Sequence, residues 1–175
     1  MFGPAARFPY ARNRAYTPED APKEQLAALH GVLGFERAVL VQASCHGTDN
    51  SAFLDAIAAA GGRWRGLAIV DDALRDEDYA TLHEHGIRGV GFNFVKHLGG
   101  MPDLHVIARV VERVRPFGWH VVVHLDAADI VELSPVLRRL PTPFLIDHTG
   151  RINAAAGLEQ AAFQALLDLM ALENC

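Results

Sequence analysis

Five short apolar runs in this chain each end in residues able to do chemistry. Run 38–43 leads into Ser44, Cys45 and His46. Run 66–70 ends at Asp71 and Asp72. Run 88–94 carries Asn93 and is followed by Lys96 and His97. Run 119–125 contains His124 and meets Asp126, and run 144–146 ends at Asp147 and His148. Imidazoles ending neighbouring strands can hold a divalent cation or polarise a carbonyl. A single strand-end His is more often a hydrogen-bonded structural residue. Two that end successive strands, His124 and His148, bring the functional reading level with the structural one. His120 lies early in its run, where packing or hydrogen bonding is the expected role. Ser44 and His46 are two apart on a strand-to-loop turn and need not face each other, so they make a poor nucleophile pair. Asp71 and Asp72 read as turn and cap residues, and Gly99-Gly100 is too weak a signal for a phosphate loop.

Helical patterns separate the runs, so the order is βαβα repeated. Buried parallel strands read as nearly continuous apolar runs, as 121–123 and 144–146 do, and their function gathers at the C-terminal strand ends. The residues 1–19, rich in Pro and Arg, read as an irregular arm, with Arg7, Arg12 and Arg14 solvated. A helix opens at Asp20 or Pro22 with Leu26, Leu29, Val32 and Leu33 on its apolar face, and Gly34 ends it. Asp49 is the expected N-cap of a helix over 51–60 closed by Gly61 and Gly62. A third helix spans 75–85 with Tyr79 and Leu82 inward. A fourth starts at Pro102 or Asp103 and carries Leu104, Ile107, Val110, Val111 and Val114 at helical spacing. A fifth spans 127–140 with Pro135 kinking or splitting it, and a sixth spans 158–172.

The 175 residues fit one domain, half of them apolar and 21% charged, which supports a globular core. A net charge of -5 argues against nucleic acid as a partner. Two cysteines form no disulfide framework. No run is long enough to span a membrane, and residues 1–10 lack a signal-peptide layout. A soluble cytoplasmic protein acting on a small molecule, with no membrane partner, is the expectation.

In Arg88 to Phe94 the period of two sets Gly91 and Asn93 on one face and Val90, Phe92 and Phe94 on the other. In the last run it sets His148 on the face of Phe144 and Ile146. With these residues placed, the chain resembles the amidohydrolase superfamily, in the branch of the 2-pyrone-4,6-dicarboxylate lactonases. The matching stretches are Phe2-Gly3-Pro4, Tyr16-Thr17-Pro18, Val41-Gln42-Ala43-Ser44-Cys45-His46-Gly47-Thr48-Asp49-Asn50, Arg88-Gly89-Val90-Gly91-Phe92-Asn93-Phe94 and Ile146-Asp147-His148-Thr149-Gly150. They cover nearly the whole chain.

The resemblance implies an α/β fold of the (β/α)8 TIM-barrel type, with residues 1–175 forming a partial barrel domain of about strands two to six. It implies opening of a lactone of a small anionic metabolite by an activated water. The family's first-strand His-x-His would lie just before Phe2, and its general-base Asp would follow the last strand, after Cys175. The isolated chain is therefore expected to be inactive, and to self-associate through exposed barrel edges. By matching position, His148 polarises the attacked carbonyl and His124 binds metal or substrate. Tyr16, Ser44 and His46 line the pocket, and Asn93, Lys96 and His97 meet substrate anions. A solvated loop charge is the equal alternative for Lys96. Gly91 and His97 stand where the family carries carboxylate-holding arginines, which puts the pyrone dicarboxylate in doubt as substrate. His124 replaces a tyrosine; with His148 it restores a metal-dependent pattern, pointing to a divalent ion such as zinc or manganese. The alternatives are a metal-dependent decarboxylase of the same superfamily and a non-catalytic remnant.

Overall fold

A computed structural model describes residues 3–98, 100 and 102–175. Phe2 of the first matching stretch and Gly99 of the Gly-Gly pair lie outside the described residues. Five strands alternate with helices: α1 Lys23–Leu33, β1 Ala38–Val41, α2 Ser51–Ala59, β2 Trp64–Ala68, α3 Asp76–Glu84, β3 Ile87–Asn93, α4 Leu104–Val114, β4 His120–His124, α5 Ile130–Leu137, β5 Phe144–Ile146 and α6 Ala161–Met170. This is the α/β alternation expected of part of a barrel. The chain divides into two compact units, one ending at Gly91 and the other spanning Phe92–Cys175.

In the first unit β1 pairs in parallel with β2, from Ala38 opposite Trp64 to Val41 opposite Leu67. β2 pairs in parallel with β3, Gly66 opposite Ile87 and then Leu67 opposite Gly89. The skipped residue, Arg88, is a one-residue bulge. Its guanidinium donates to the carbonyls of His83 and Ile87, both at 2.7 Å. Phe53 and Ile57 of α2 and Ile87 of β3 converge on Gly66, where a Cβ would stand 2.4 Å from the Phe53 ring. Glycine is required there because three apolar side chains already occupy the space.

The N-terminal arm is irregular and Arg7, Arg12 and Arg14 are exposed, as expected, while two of these arginines also make polar contacts. Arg7 pairs with Asp55 at 2.8 Å, Lys23 joins the same carboxylate, and Arg14 donates to Thr17 Oγ1 at 2.7 Å. The Lys23 hydrogen bond is the chief reason the Asp55 carboxyl is held below its ordinary range. One departure concerns α1. Pro22 and Gly34 bound it as expected, but its apolar stripe is not covered: Leu29 and Leu33 are exposed and Val32 is 84% exposed. Asn50, not Asp49, is the N-cap of α2; Asp49 instead accepts from the Ser51 amide at 3.0 Å.

In the second unit β4 and β5 pair in parallel, Val121 opposite Phe144 and Val123 opposite Ile146. Val121 and Val123 are buried, while His120, Val122 and His124 alternate onto the other, half-buried face. α4 begins as expected, with Asp103 accepting from the His105 amide at 2.8 Å, and buries Ile107, Val110, Val111 and Val114. α5 follows a 3₁₀ turn at Ala127–Asp129 and runs through Pro135 without splitting. Proline sits near its C-terminal end, where one lost backbone bond is tolerable. α6 is shorter than the apolar pattern implied. Gln160 Nε2 caps the carbonyls of Asn153 and Gly157 at 2.9 and 2.7 Å, which holds 154–160 in turns and leaves Leu158 exposed.

Gly66→Ala forces the Phe53, Ile57 and Ile87 side chains off their packed positions. Overpacking of this kind costs about 1–3 kcal/mol, and a urea unfolding series on the two chains measures it; an unchanged midpoint would sink the packing argument.

Candidate functional site

The chemistry-bearing residues fall into two groups, one inside each compact unit. In the first unit the chain leaves β1 into a 3₁₀ turn, Ser44–His46. Two buried amides hold the loop beyond it. Gln42 Nε2 donates to the Asp49 carbonyl at 2.6 Å. Asn50 Nδ2 donates to the carbonyls of Thr48 and Ile69, and its Oδ1 accepts from the Ile69 amide at 3.2 Å. Neither amide was singled out in the sequence, although both lie in the longest matching stretch.

On this turn Ser44 and His46 face different neighbours, as their spacing suggested. Burial raises the Tyr16 phenol, while its hydrogen bond with Ser44 lowers it. The turn thus brings Tyr16 to Ser44. Cys45 is fully buried, and that burial raises its thiol, so it is a poor nucleophile. His46 is buried against the Tyr10 ring with centroids 4.8 Å apart, and its Nε2 lies 3.4 Å from the Gly3 amide that points to it. An Nε2 that accepts leaves the proton on Nδ1. Packed in this way, His46 serves as a wedge between the arm and the turn.

In the second unit the Phe94 amide donates to the His124 carbonyl at 2.7 Å, which places the end of β3 beside the end of β4. Asn93 lies there, but its side chain is used locally: Oδ1 accepts from the Val95 amide at 3.0 Å and Nδ2 reaches the Leu98 carbonyl at 3.4 Å. It shapes the turn on which Lys96 and His97 stand exposed.

His124 and His148 do come together. Their ring centroids are 4.7 Å apart, edge to face. His124 Nε2 is buried with no hydrogen-bond partner. Burial is the largest cause of its lowered pKa, followed by the neighbouring His148. The route by which His148 arrives corrects the sequence reading. The strand stops at Ile146, so His148 does not continue the alternation of Phe144 and Ile146. Asp147–Arg151 forms a tight turn in which His148, Thr149, Gly150 and Arg151 take φ of 51°, 53°, 61° and 51°. Side chains rarely occupy this left-handed region, and each such residue other than glycine costs on the order of 1 kcal/mol or more. The strain is concentrated at a strand end that carries a candidate active residue.

The turn has three fastenings. The Asp147 carboxylate accepts from the His148 amide at 2.9 Å. Gly150 is buried so closely on Ile130 that a Cβ would stand 2.6 Å from its Cδ1. Arg151 Nε donates to Asp126 Oδ1 at 2.7 Å. The Asp126–Arg151 pair was not anticipated. The signal for it was an arginine directly after the Ile146-to-Gly150 match.

His124 and His148 bring two imidazole nitrogens together, the donor type that suits a divalent ion. Among the described residues no three His, Cys, Asp or Glu side chains are placed to hold an ion.

Because the folded pKa of His124 lies below its unfolded value, the stability tied to this group is complete above about pH 6.5. It is lost as pH falls from there through the folded pKa. His124→Gln should therefore flatten the stability-against-pH curve on the acid side of pH 6.5, measured by thermal melts across pH 5–8. An unchanged slope would show that His124 is not held neutral.

Known proteins share this arrangement of strands. A family model described as Amidohydrolase matches residues 1–173. The chain is 43% identical over 170 residues to a 2-pyrone-4,6-dicarboxylate hydrolase of Comamonas testosteroni, covering 97% of this chain and 56% of that protein. It is 36% identical over 175 residues to a 4-sulfomuconolactone hydrolase of Rhizobium radiobacter, covering 99% and 58%. A crystal structure of a probable 2-pyrone-4,6-dicarboxylic acid hydrolase from Acinetobacter baumannii, with citric acid bound, superposes with a TM-score of 0.81 at 28% identity, over 93% of this chain and 61% of that one. The chain thus spans a little over half the length of these relatives. Within that span, the family match and the strand order agree: the chain belongs to the amidohydrolase family.

Proposed function

We propose that this chain supplies part of the pocket of a lactone hydrolase acting on a small anionic metabolite. The observation that carries the reading is His124 Nε2, buried without a partner and set edge-on to the His148 ring at the strand ends. A buried polar atom left unpaired is costly, and a substrate oxygen is the partner that would complete it. In this reading His148 donates to the carbonyl oxygen of the cyclic ester, and stabilises the negative charge that grows there as water adds to the carbonyl carbon. The ring C–O bond then breaks to give a carboxylate and a hydroxyl group.

His124 fixes the substrate through the same face. Lys96 and His97, exposed on the turn that Asn93 shapes, supply positive charge and donors for the anionic groups of the substrate. Within the first unit, Tyr16 stands beside Ser44, on a turn that His46 supports. Two hydrolases of lactone-type substrates among the relatives, and citric acid bound in a related structure, support a small, acid-bearing substrate. We assign residues 1–175 to one partial barrel domain. We assign the protein to the cytoplasm, in keeping with two free cysteines.

The test is a ring-opening assay of the chain against 2-pyrone-4,6-dicarboxylate and 4-sulfomuconolactone, followed by loss of the lactone and by carbon dioxide release. In a chain shown to turn over, ring opening without carbon dioxide, reduced about 10²–10³-fold by His148→Asn, is the expected result. Carbon dioxide release would mark a decarboxylase, and no turnover even from the chain extended to the full length of its relatives would mark a binding remnant.

The same reading includes self-association. Val39 and Val41 of β1 are 62% and 63% exposed, and the apolar stripe of α1 is uncovered as well. Exposed apolar strand edges invite pairing with another chain. Light scattering at rising concentration should show species heavier than the 19.1 kDa chain; a single 19.1 kDa species throughout would overturn this expectation.

A further inference from the structure

We infer that the Asp126–Arg151 ion pair is a positioning device: it fastens the far end of the left-handed turn and so sets the His148 ring against His124. The inference rests on the reading of these two imidazoles as the substrate-facing pair, and it assigns the residues that hold them in place.

Three non-glycine residues of this turn, His148, Thr149 and Arg151, sit in the left-handed region in succession with Gly150. A run of this kind persists only where its surroundings over-determine it. The near end is fixed through the Asp147 carboxylate, which accepts from the His148 amide and lies 3.5 Å from the ring Nε2. The middle is fixed by the contact of Gly150 with Ile130. The far end has one weak backbone bond, from the Ile152 amide to the Thr149 carbonyl at 3.4 Å, and the 2.7 Å bond from Arg151 Nε to Asp126 Oδ1. The charged pair is therefore the strong fastening at that end.

Where Asp126 comes from matters as much as the bond. It lies two residues beyond His124, on the chain leaving β4. The segment that carries one imidazole thus grips the turn that presents the other. Movement of the turn relative to β4 would have to break this bond. The pair is also poorly suited to be a stability device, since Arg151 is 42% and Asp126 33% exposed. Ion pairs at such exposure contribute little to folding. Their geometric value is separate: the planar guanidinium offers Nε as a donor of fixed direction, which an ammonium does not.

The experiment uses the full chain and two variants, Arg151→Gln and Asp126→Asn. The readouts are the nuclear Overhauser contact between the His124 and His148 ring protons and the thermal midpoint. The expected result is loss of the ring contact in both variants, with the midpoint moving by less than about 4 °C. A ring contact retained in either folded variant overturns the inference, because the turn then holds its shape without the pair. If Arg151→Gln does not fold, Asp126→Asn decides alone, since it removes the charge at nearly constant shape. Unfolding of both variants also overturns it, because the pair would then hold the fold and not the turn. No substrate enters the measurement, so lost ring contact in a chain without turnover leaves the positioning role standing while the hydrolase reading fails.

Discussion

Burial of one face of each parallel strand against its helices is the constraint on which the rest of this structure depends. Within a strand the side chains alternate, so committing Val121 and Val123 to the helix side commits His120, Val122 and His124 to the other. The chemistry-bearing residues are thus by-products of a packing decision. Gly66 illustrates the same constraint. It lacks a side chain because Phe53, Ile57 and Ile87 already fill the space that a side chain would need. The neighbouring bulge at Arg88 then offsets the pairing of β2 and β3 by one residue.

Strand ends are where this regularity stops, and both candidate groups lie there. The two units solve the problem of leaving a strand differently. After β1, the loop is held by neutral amides: Gln42 and Asn50 occupy backbone donors and acceptors that no strand neighbour uses. After β5, the chain turns through consecutive left-handed residues and is held by two carboxylates, Asp147 and Asp126. The first solution is relaxed and places Ser44 beside Tyr16. The second is strained and swings His148 onto His124. Strain stored at a strand end implies that the position of the His148 ring matters more to the protein than the local backbone cost.

The apolar surface left uncovered has a common origin. α1 carries an amphipathic stripe that the described residues do not bury, and β1 exposes Val39 and Val41. On β5, Leu145 is likewise exposed. Each lies at a first or last element of the βα series, where a neighbouring element is lacking on one side among the described residues.

Sequence alone determined the alternation of strands and helices, because continuous apolar runs and helical spacing are local patterns that burial of a sheet enforces. It determined most helix boundaries as well, through Gly34, Asp103 and the acidic and glycine signals near them. It also brought His124 and His148 forward as a pair, since both close a strand-like run, and the matching stretches named the family. Tertiary structure decided the rest. The period of two gave His148 a strand face it does not have, because nothing in Asp147 to Arg151 announces left-handed backbone in non-glycine residues. That conformation is contacted by Ile130 and Asp126, which lie outside the turn, besides Asp147 within it. The lengths of α5 and α6 were decided by a 3₁₀ turn and by the side chain of Gln160, which compete with helix for the same backbone groups. Asn93 and His46 were legible as polar residues at strand ends. Whether such a residue faces a substrate or its own loop depends on which partner reaches it first, and only the folded chain sets that.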